Sequence, residues 1–251
     1  MALLQVYDGG ADRGHAAASR HLAHADPVMR DLIADLGPCR LTPRRHYFPV
    51  LCDAIIAQQL SAKAAATIFD RFAALYPKRR PTPSAVTTTP HMRLKAAGLS
   101  GQKVRYVKEL AAGFQDGRIQ IHRLVRRSNE DIIRALVSIA GIGRWTAEMF
   151  LIFSLNRLDV LPVHDLGIRK AVQRRYRLRA LPTTEKLHAI GRIWHPYESV
   201  ASWYLWQSLH VDRQPILRGS TRRVSPSSAS RERTRHTKPP RILRATRNAP
   251  A

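Results

Sequence analysis

The chain is poor in cysteine, in acidic residues and in long apolar runs, and each shortage removes a class of protein. Two cysteines, Cys39 and Cys52, in 251 residues cannot build a disulfide framework or a four-thiolate iron–sulfur cluster, and both read as buried apolar side chains. No apolar run approaches the roughly 18 residues of a membrane span, and residues 1–10 lack the zones of a secretory signal. The expectation is an intracellular protein without a membrane, in the cytoplasm or nucleoid of a bacterium or the nucleus of a eukaryote. The 11 histidines form no zinc spacing, and His21 and His24 have no third ligand nearby. Strand-like alternation is scarce, whereas apolar residues at helical spacing recur from end to end, so the fold reads all-α.

What is abundant is positive charge: 42 Lys and Arg against 18 Asp and Glu, a net charge of +24. Residues 1–39 hold 3 basic and 5 acidic residues, 40–213 hold 29 and 12, and 214–251 hold 10 and 1. A middle segment at +17 attracts polyanions through counterion release, which points to nucleic acid as partner. A solvated surface rich in arginine, which outnumbers lysine 34 to 8, is the plainer alternative. Three stretches follow: a helical N-terminal segment (1–40), a core (41–213) and a basic tail (214–251) too poor in apolar residues to offset its ordering entropy. The tail either adds non-specific DNA affinity or is dispensable.

Start and stop signals place helices at 16–22 and 27–36, the second opened by Asp26 and Pro27, then at 47–60 and, capped by Ser61, through residue 75. Residues 78–90 read as a linker carrying a short turn. One helix ends at Gly98, another runs from Ser100 to Gly113, and a capping box of Ser128 and Asp131 opens one to Ala140. Further helices fall near 144–155, 165–176, 184–193 and 197–210.

Residues 136–147, Leu-Val-Ser-Ile-Ala-Gly-Ile-Gly-Arg-Trp-Thr-Ala, set two glycines around one apolar residue between two helical patterns. Gly141 and Gly143 permit positive φ and close backbone approach, Ile142 plugs the helix pair, and the next helix opens with N–H groups that favour an anion. A tight turn without a ligand would need the same glycines. The longer pattern matches the helix-hairpin-helix motif, a phosphate-binding turn, with Gly141, Ile142, Gly143, Arg144 and Thr146 as DNA contacts.

Residues 158–170, Leu-Asp-Val-Leu-Pro-Val-His-Asp-Leu-Gly-Ile-Arg-Lys, contain Asp165, which alone reads as the N-cap of a helix beginning at Leu166. Three more segments accompany it: 54–61 (Ala-Ile-Ile-Ala-Gln-Gln-Leu-Ser), Gly98 to Ser100 followed by Lys103 and Tyr106, and 196–206 (Pro-Tyr-Glu-Ser-Val-Ala-Ser-Trp-Tyr-Leu-Trp). Over residues 41–212 the chain therefore resembles the helix-hairpin-helix DNA glycosylases, specifically the 3-methyladenine DNA glycosylase II family. In that family the catalytic aspartate lies twenty residues beyond the tryptophan of the hairpin's second helix, the separation of Trp145 and Asp165 here.

The resemblance implies a two-lobed helical fold with the active site in the cleft between lobes. It implies a monofunctional glycosylase that removes alkylated bases, of the 3-methyladenine and 7-methylguanine class, from double-stranded DNA. Asp165 would stabilise the oxocarbenium-like state, and Trp145, Met149 and Trp203 would border the base pocket. Trp203 stands in an aromatic stripe that reads equally as core. Gln59 with Leu60, beside Ser61, matches the wedge that fills the gap left by the flipped nucleotide, and His164 either bonds Asp165 or faces solvent. Where bifunctional relatives carry a lysine nucleophile this chain has Trp145, and no lysine occurs between Lys108 and Lys170, so no lyase step is expected. No cofactor is required; a monovalent cation on the carbonyls of Val137, Ile139 and Ile142 is an option within the family, and the protein should act as a monomer. The alternatives are a glycosylase for another lesion class and a non-enzymatic helix-hairpin-helix DNA-binding protein, which would not need Asp165.

Overall fold

In the computed structural model the described residues are 13–211, and among them every regular element is helical. The thirteen α-helices are α1 (Arg13–Ala25), α2 (Pro27–Leu36), α3 (Tyr47–Ala57), α4 (Ala62–Ala74), α5 (Pro83–Thr88), α6 (His91–Ala96), α7 (Gly101–Gln115), α8 (Ile121–Leu124), α9 (Asn129–Val137), α10 (Arg144–Phe153), α11 (Leu166–Arg175), α12 (Thr184–Gly191) and α13 (Glu198–Val211). The tail from residue 214 lies outside the described residues.

Side-chain caps decide most starts. Asp26 accepts from the Val28 N–H at 2.8 Å, and Ser61, Ser100 and Ser128 each accept from the N–H three residues on. Each cap satisfies a donor that the first turn cannot pair within the helix. Three expectations need correction. The stretch 78–90 contains α5, opened by Thr82 and Pro83, rather than a plain linker. The helix expected through Leu60 stops at Ala57, and the one expected to Ala140 stops at Val137. Both early ends lie where the chain turns into the functional site, and tertiary contacts described below account for the first.

Two helical lobes result. In one, α3 packs on α4, α7 and α10, and α5 and α6 pack on α7. In the other, α1 and α2 pack on each other and on α13, which packs on α11. The described residues therefore begin and end in the same lobe. Between the lobes runs α10, buried from Thr146 to Phe153. It touches the first lobe through Tyr47 on Phe150, edge to face at 5.7 Å, and the second through Phe153 beside Trp206 at 5.6 Å. Cys39 and Cys52 are buried and unpaired, as read from the sequence. Burial pushes the Cys39 thiol up to about 12 and that of Cys52 well above its usual range.

Candidate active site

Asp165 caps α11, its Oδ1 accepting from the Ile168 N–H at 2.7 Å. Oδ1 also accepts from the Trp206 indole N–H at 3.0 Å, and Oδ2 from the Trp145 indole N–H at 2.7 Å. These donors are all neutral, so they fix the carboxylate in place without cancelling its charge. Gly167 makes the room: a Cβ there would sit 2.9 Å from Asp165 Oδ1 and 3.3 Å from the Trp206 ring. The helix cap and the carboxylate held by the two indoles are thus the same group. Trp145 is 40% exposed while Asp165 is 9% exposed, so a half-open indole edge lies over a nearly closed carboxylate.

The rest of the expected pocket divides. Met149 and Trp203 are buried, and Trp203 packs edge-on against Tyr204 at 4.9 Å. Both serve the core, because a large apolar group gains more from full burial than from a solvent face. Neither offers an exposed pocket wall, which corrects that part of the reading. His164 is exposed. Trp206, read from the sequence only as part of an aromatic stripe, belongs to the site; its signal was spatial, since it lies 41 residues beyond Asp165 on α13.

The hairpin joins α9 to α10. Gly141 has φ +89, and a Cβ on it would come within 2.3 Å of the Tyr106 ring, so glycine is required there twice over. Gly143 has φ −90, which corrects the expectation of a second left-handed glycine. Its Cβ position is open, with no atom within 4 Å, so the backbone there can approach a ligand closely. Gly143 caps α10 without any side-chain hydrogen bond, leaving the first-turn N–H groups to an anion. Ile142 is buried as the plug, and Thr146 is buried as well. Arg144 departs from the expectation: its guanidinium pairs with Glu130 and Glu148.

Facing the hairpin is the turn after α3. Lys103 Nζ donates to the carbonyls of Ile56 and Gln58 at 2.7 and 2.8 Å, capturing the helix end and forcing it to stop. Partial burial lowers the Lys103 ammonium from its usual range. Gln59 then adopts φ +58 and stands exposed, followed by exposed Leu60 and by Ser61, the cap of α4. Gln58 Nε2 donates to the Gly141 carbonyl at 2.7 Å, tying this turn to the hairpin. A groove of about 600 Å³ lies between them, lined by Gln59, Leu60, Lys103, Tyr106, Ile142 and Gly143 among others.

A bare-backbone hairpin, an exposed wedge-like turn tied to it, and an aspartate held between two indoles define a helix-hairpin-helix protein with the parts of a base-excision site. The model of HhH-GPD superfamily base excision DNA repair proteins matches residues 52–196, and the chain belongs to that superfamily. DNA-3-methyladenine glycosylase 1 of Schizosaccharomyces pombe is 36% identical over 196 residues, 76% of this chain and 86% of its own length. The solved structure of the S. pombe 3-methyladenine DNA glycosylase in complex with abasic DNA superposes with a TM-score of 0.68 at 35% identity, covering 77% of this chain and 97% of that one. A DNA-3-methyladenine glycosidase from Bacillus halodurans gives 0.70 at 33% identity, with 76% and 88% covered.

Proposed function

We propose that the protein is a monofunctional DNA glycosylase that hydrolyses the N-glycosidic bond of alkylated bases, of the 3-methyladenine and 7-methylguanine class, in double-stranded DNA. The observation that carries this reading is Asp165, an uncancelled carboxylate fixed by two indoles and a backbone N–H beside a phosphate-binding hairpin. The similarity to enzymes named for 3-methyladenine supports the substrate class.

Hairpin N–H groups hold the DNA backbone while Gln59 and Leu60 enter the stack from which the nucleotide has left. The C1′–N bond breaks with its electron pair leaving on the base, and water forms the new C1′–O bond and gives up a proton to solvent. Positive charge grows on the sugar, and a preorganised carboxylate stabilises it without reorganisation. The Asp165 carboxylate also orients the attacking water. An alkylated ring nitrogen makes the base a cationic leaving group that needs little acid help, and the Trp145 ring offers it a π face worth about 0.5–2 kcal/mol. With Trp145 where a lysine nucleophile would stand, the reaction ends at the abasic site and no lyase step follows. The hairpin carbonyls of Val137, Ile139 and Ile142 are neutral donors, a set suited to a monovalent cation; the Ile139 carbonyl also accepts from the Ile142 N–H. No such ion enters the chemistry. The protein acts as an intracellular monomer.

The test is release of methylpurines from methylated duplex DNA by wild type and by Asp165→Asn, alongside binding of each to an abasic-site duplex. Release by wild type, reduced at least roughly a hundredfold in the variant with binding retained, is the expected result. Tight binding with no release by either protein overturns the assignment and leaves a DNA-binding module or a different lesion.

A further inference from the structure

Arg144 opens the second hairpin helix of a strongly basic protein, the place where a phosphate contact would be sought. Its guanidinium is engaged elsewhere. Nη1 donates to Glu130 Oε2 at 3.1 Å and Nη2 to Glu130 Oε1, a two-pronged contact, while Nε donates to Glu148 Oε1 at 3.0 Å. Glu130 stands in the first turn of α9 and Glu148 one turn along α10, so the three side chains join the two hairpin helices. The guanidinium is thus shared between two carboxyl groups, which leaves little of its charge to attract a phosphate.

The two carboxylates differ. The Glu130 side chain is 59% exposed, whereas that of Glu148 is 3% exposed, and its Oε2 has no hydrogen-bond partner. Burial raises the Glu148 carboxyl above its usual range, the nearby charge of Asp165 pushes the same way, and Arg144 opposes both. Arg144 is the one group that favours the ionised form of this buried carboxyl, and its loss leaves the Glu148 side chain without a charged partner. Trp145, the next residue after Arg144, donates to Asp165. Whatever fixes the first turn of α10 therefore fixes the indole that fixes the carboxylate.

We infer that Arg144 is a positioning residue: it braces α9 to α10 through Glu130 and Glu148, so aligning Trp145 on Asp165, and leaves phosphate recognition at the hairpin to backbone N–H groups. The inference rests on the glycosylase reading above only for its effect on rate. Its electrostatic half concerns DNA binding alone and stands or falls separately.

The experiment uses the full chain with Arg144→Gln, Glu130→Gln, their double variant and Arg144→Lys. Binding to an abasic-site duplex is followed across a salt series, and methylpurine release is followed in single turnover. If Arg144 bound a phosphate, Arg144→Gln would lower the slope of log K against log salt by about 1, and removing Glu130 would leave binding as tight or tighter. The brace predicts an unchanged slope in every variant. It also predicts a fall in single-turnover rate of about tenfold, one interaction's worth, in both single variants and no further fall in the double. Lysine fails to rescue because it cannot make the two-pronged contact. Glu130 is exposed, so Glu130→Gln keeps the test alive should Arg144→Gln unfold.

A slope reduced by about 1 in Arg144→Gln overturns the inference whether or not the protein releases bases. An unchanged rate in Glu130→Gln overturns it too, reducing the brace to a surface ion pair. No release by wild type, with the slopes unchanged, sinks the glycosylase reading and leaves the electrostatic half intact.

Discussion

On the proposed function a single aspartate carries two roles, and the physical link between them is the identity of its donors. A carboxylate paired with arginine would be neutralised, whereas indole and backbone N–H groups orient it and leave its charge for a cationic sugar. The family resemblance singled out Asp165 in the sequence, and the structure brings Trp145 within hydrogen-bond distance of it. Trp206 and Gly167 were not legible as site residues, because one arrives from α13 and the other matters through a missing Cβ. Trp206→Phe keeps an aromatic ring but leaves a small cavity and removes one donor to the Asp165 carboxylate. It should lower stability by about 1.5–3 kcal/mol and reduce the single-turnover rate more than it weakens DNA binding. Calorimetry and paired rate and binding measurements check this; a rate loss equalled by the binding loss would place Trp206 outside the site.

At the scale of elements, the hairpin shows what a motif can and cannot announce. Its two glycines were visible, but only Gly141 uses the left-handed region. Gly143 instead leaves its Cβ position empty, a steric fact that depends on no dihedral and that φ reasoning misses. The end of α3 escaped the sequence for a related reason. Periodicity continues to Leu60, yet Lys103, supplied by α7, takes the carbonyls of Ile56 and Gln58, and tertiary hydrogen bonding overrode local pattern. Gly141→Ala forces a residue at φ +89 against the Tyr106 ring. We expect it to cost more than about 1 kcal/mol of stability and to abolish tight binding to an abasic-site duplex, as thermal melting and anisotropy would report. Normal binding by a correctly folded Gly141→Ala would detach the hairpin from DNA recognition.

For the whole molecule, charge indicated a nucleic-acid partner without saying where the charge sits. Arg44, Arg45, Lys78, Arg79 and Arg80 line a groove of about 1030 Å³ at the N-terminal end of α3, whereas the cation lining the hairpin groove at its other end is the already engaged Lys103. No linear count could separate those ends. The described part of the N-terminal segment, set apart in the sequence by its composition, packs into the second lobe through α1 and α2. Asp26, 2% exposed, accepts from the Val28 N–H, the Trp194 indole N–H at 2.8 Å and the Tyr176 hydroxyl, joining α2 to α11 and to the turn after α12. Asp26→Ala strands the buried Trp194 indole N–H together with the half-buried Tyr176 hydroxyl and Val28 N–H, and should destabilise the fold by about 2–4 kcal/mol, on the scale of one to two unsatisfied groups. A melting curve matching wild type would show that the segment is merely appended.

The bond between Trp145 and Asp165 has an optical consequence. Of the four tryptophans in the chain, Trp194, Trp203 and Trp206 are at most 5% exposed, while Trp145 is 40% exposed with its N–H on the carboxylate. Light emitted by the accessible indole therefore originates at the reactive group itself. On the proposed function, a base sliding over that ring would change its surroundings before any bond is cut, giving an unlabelled reporter of lesion capture as an event separate from excision.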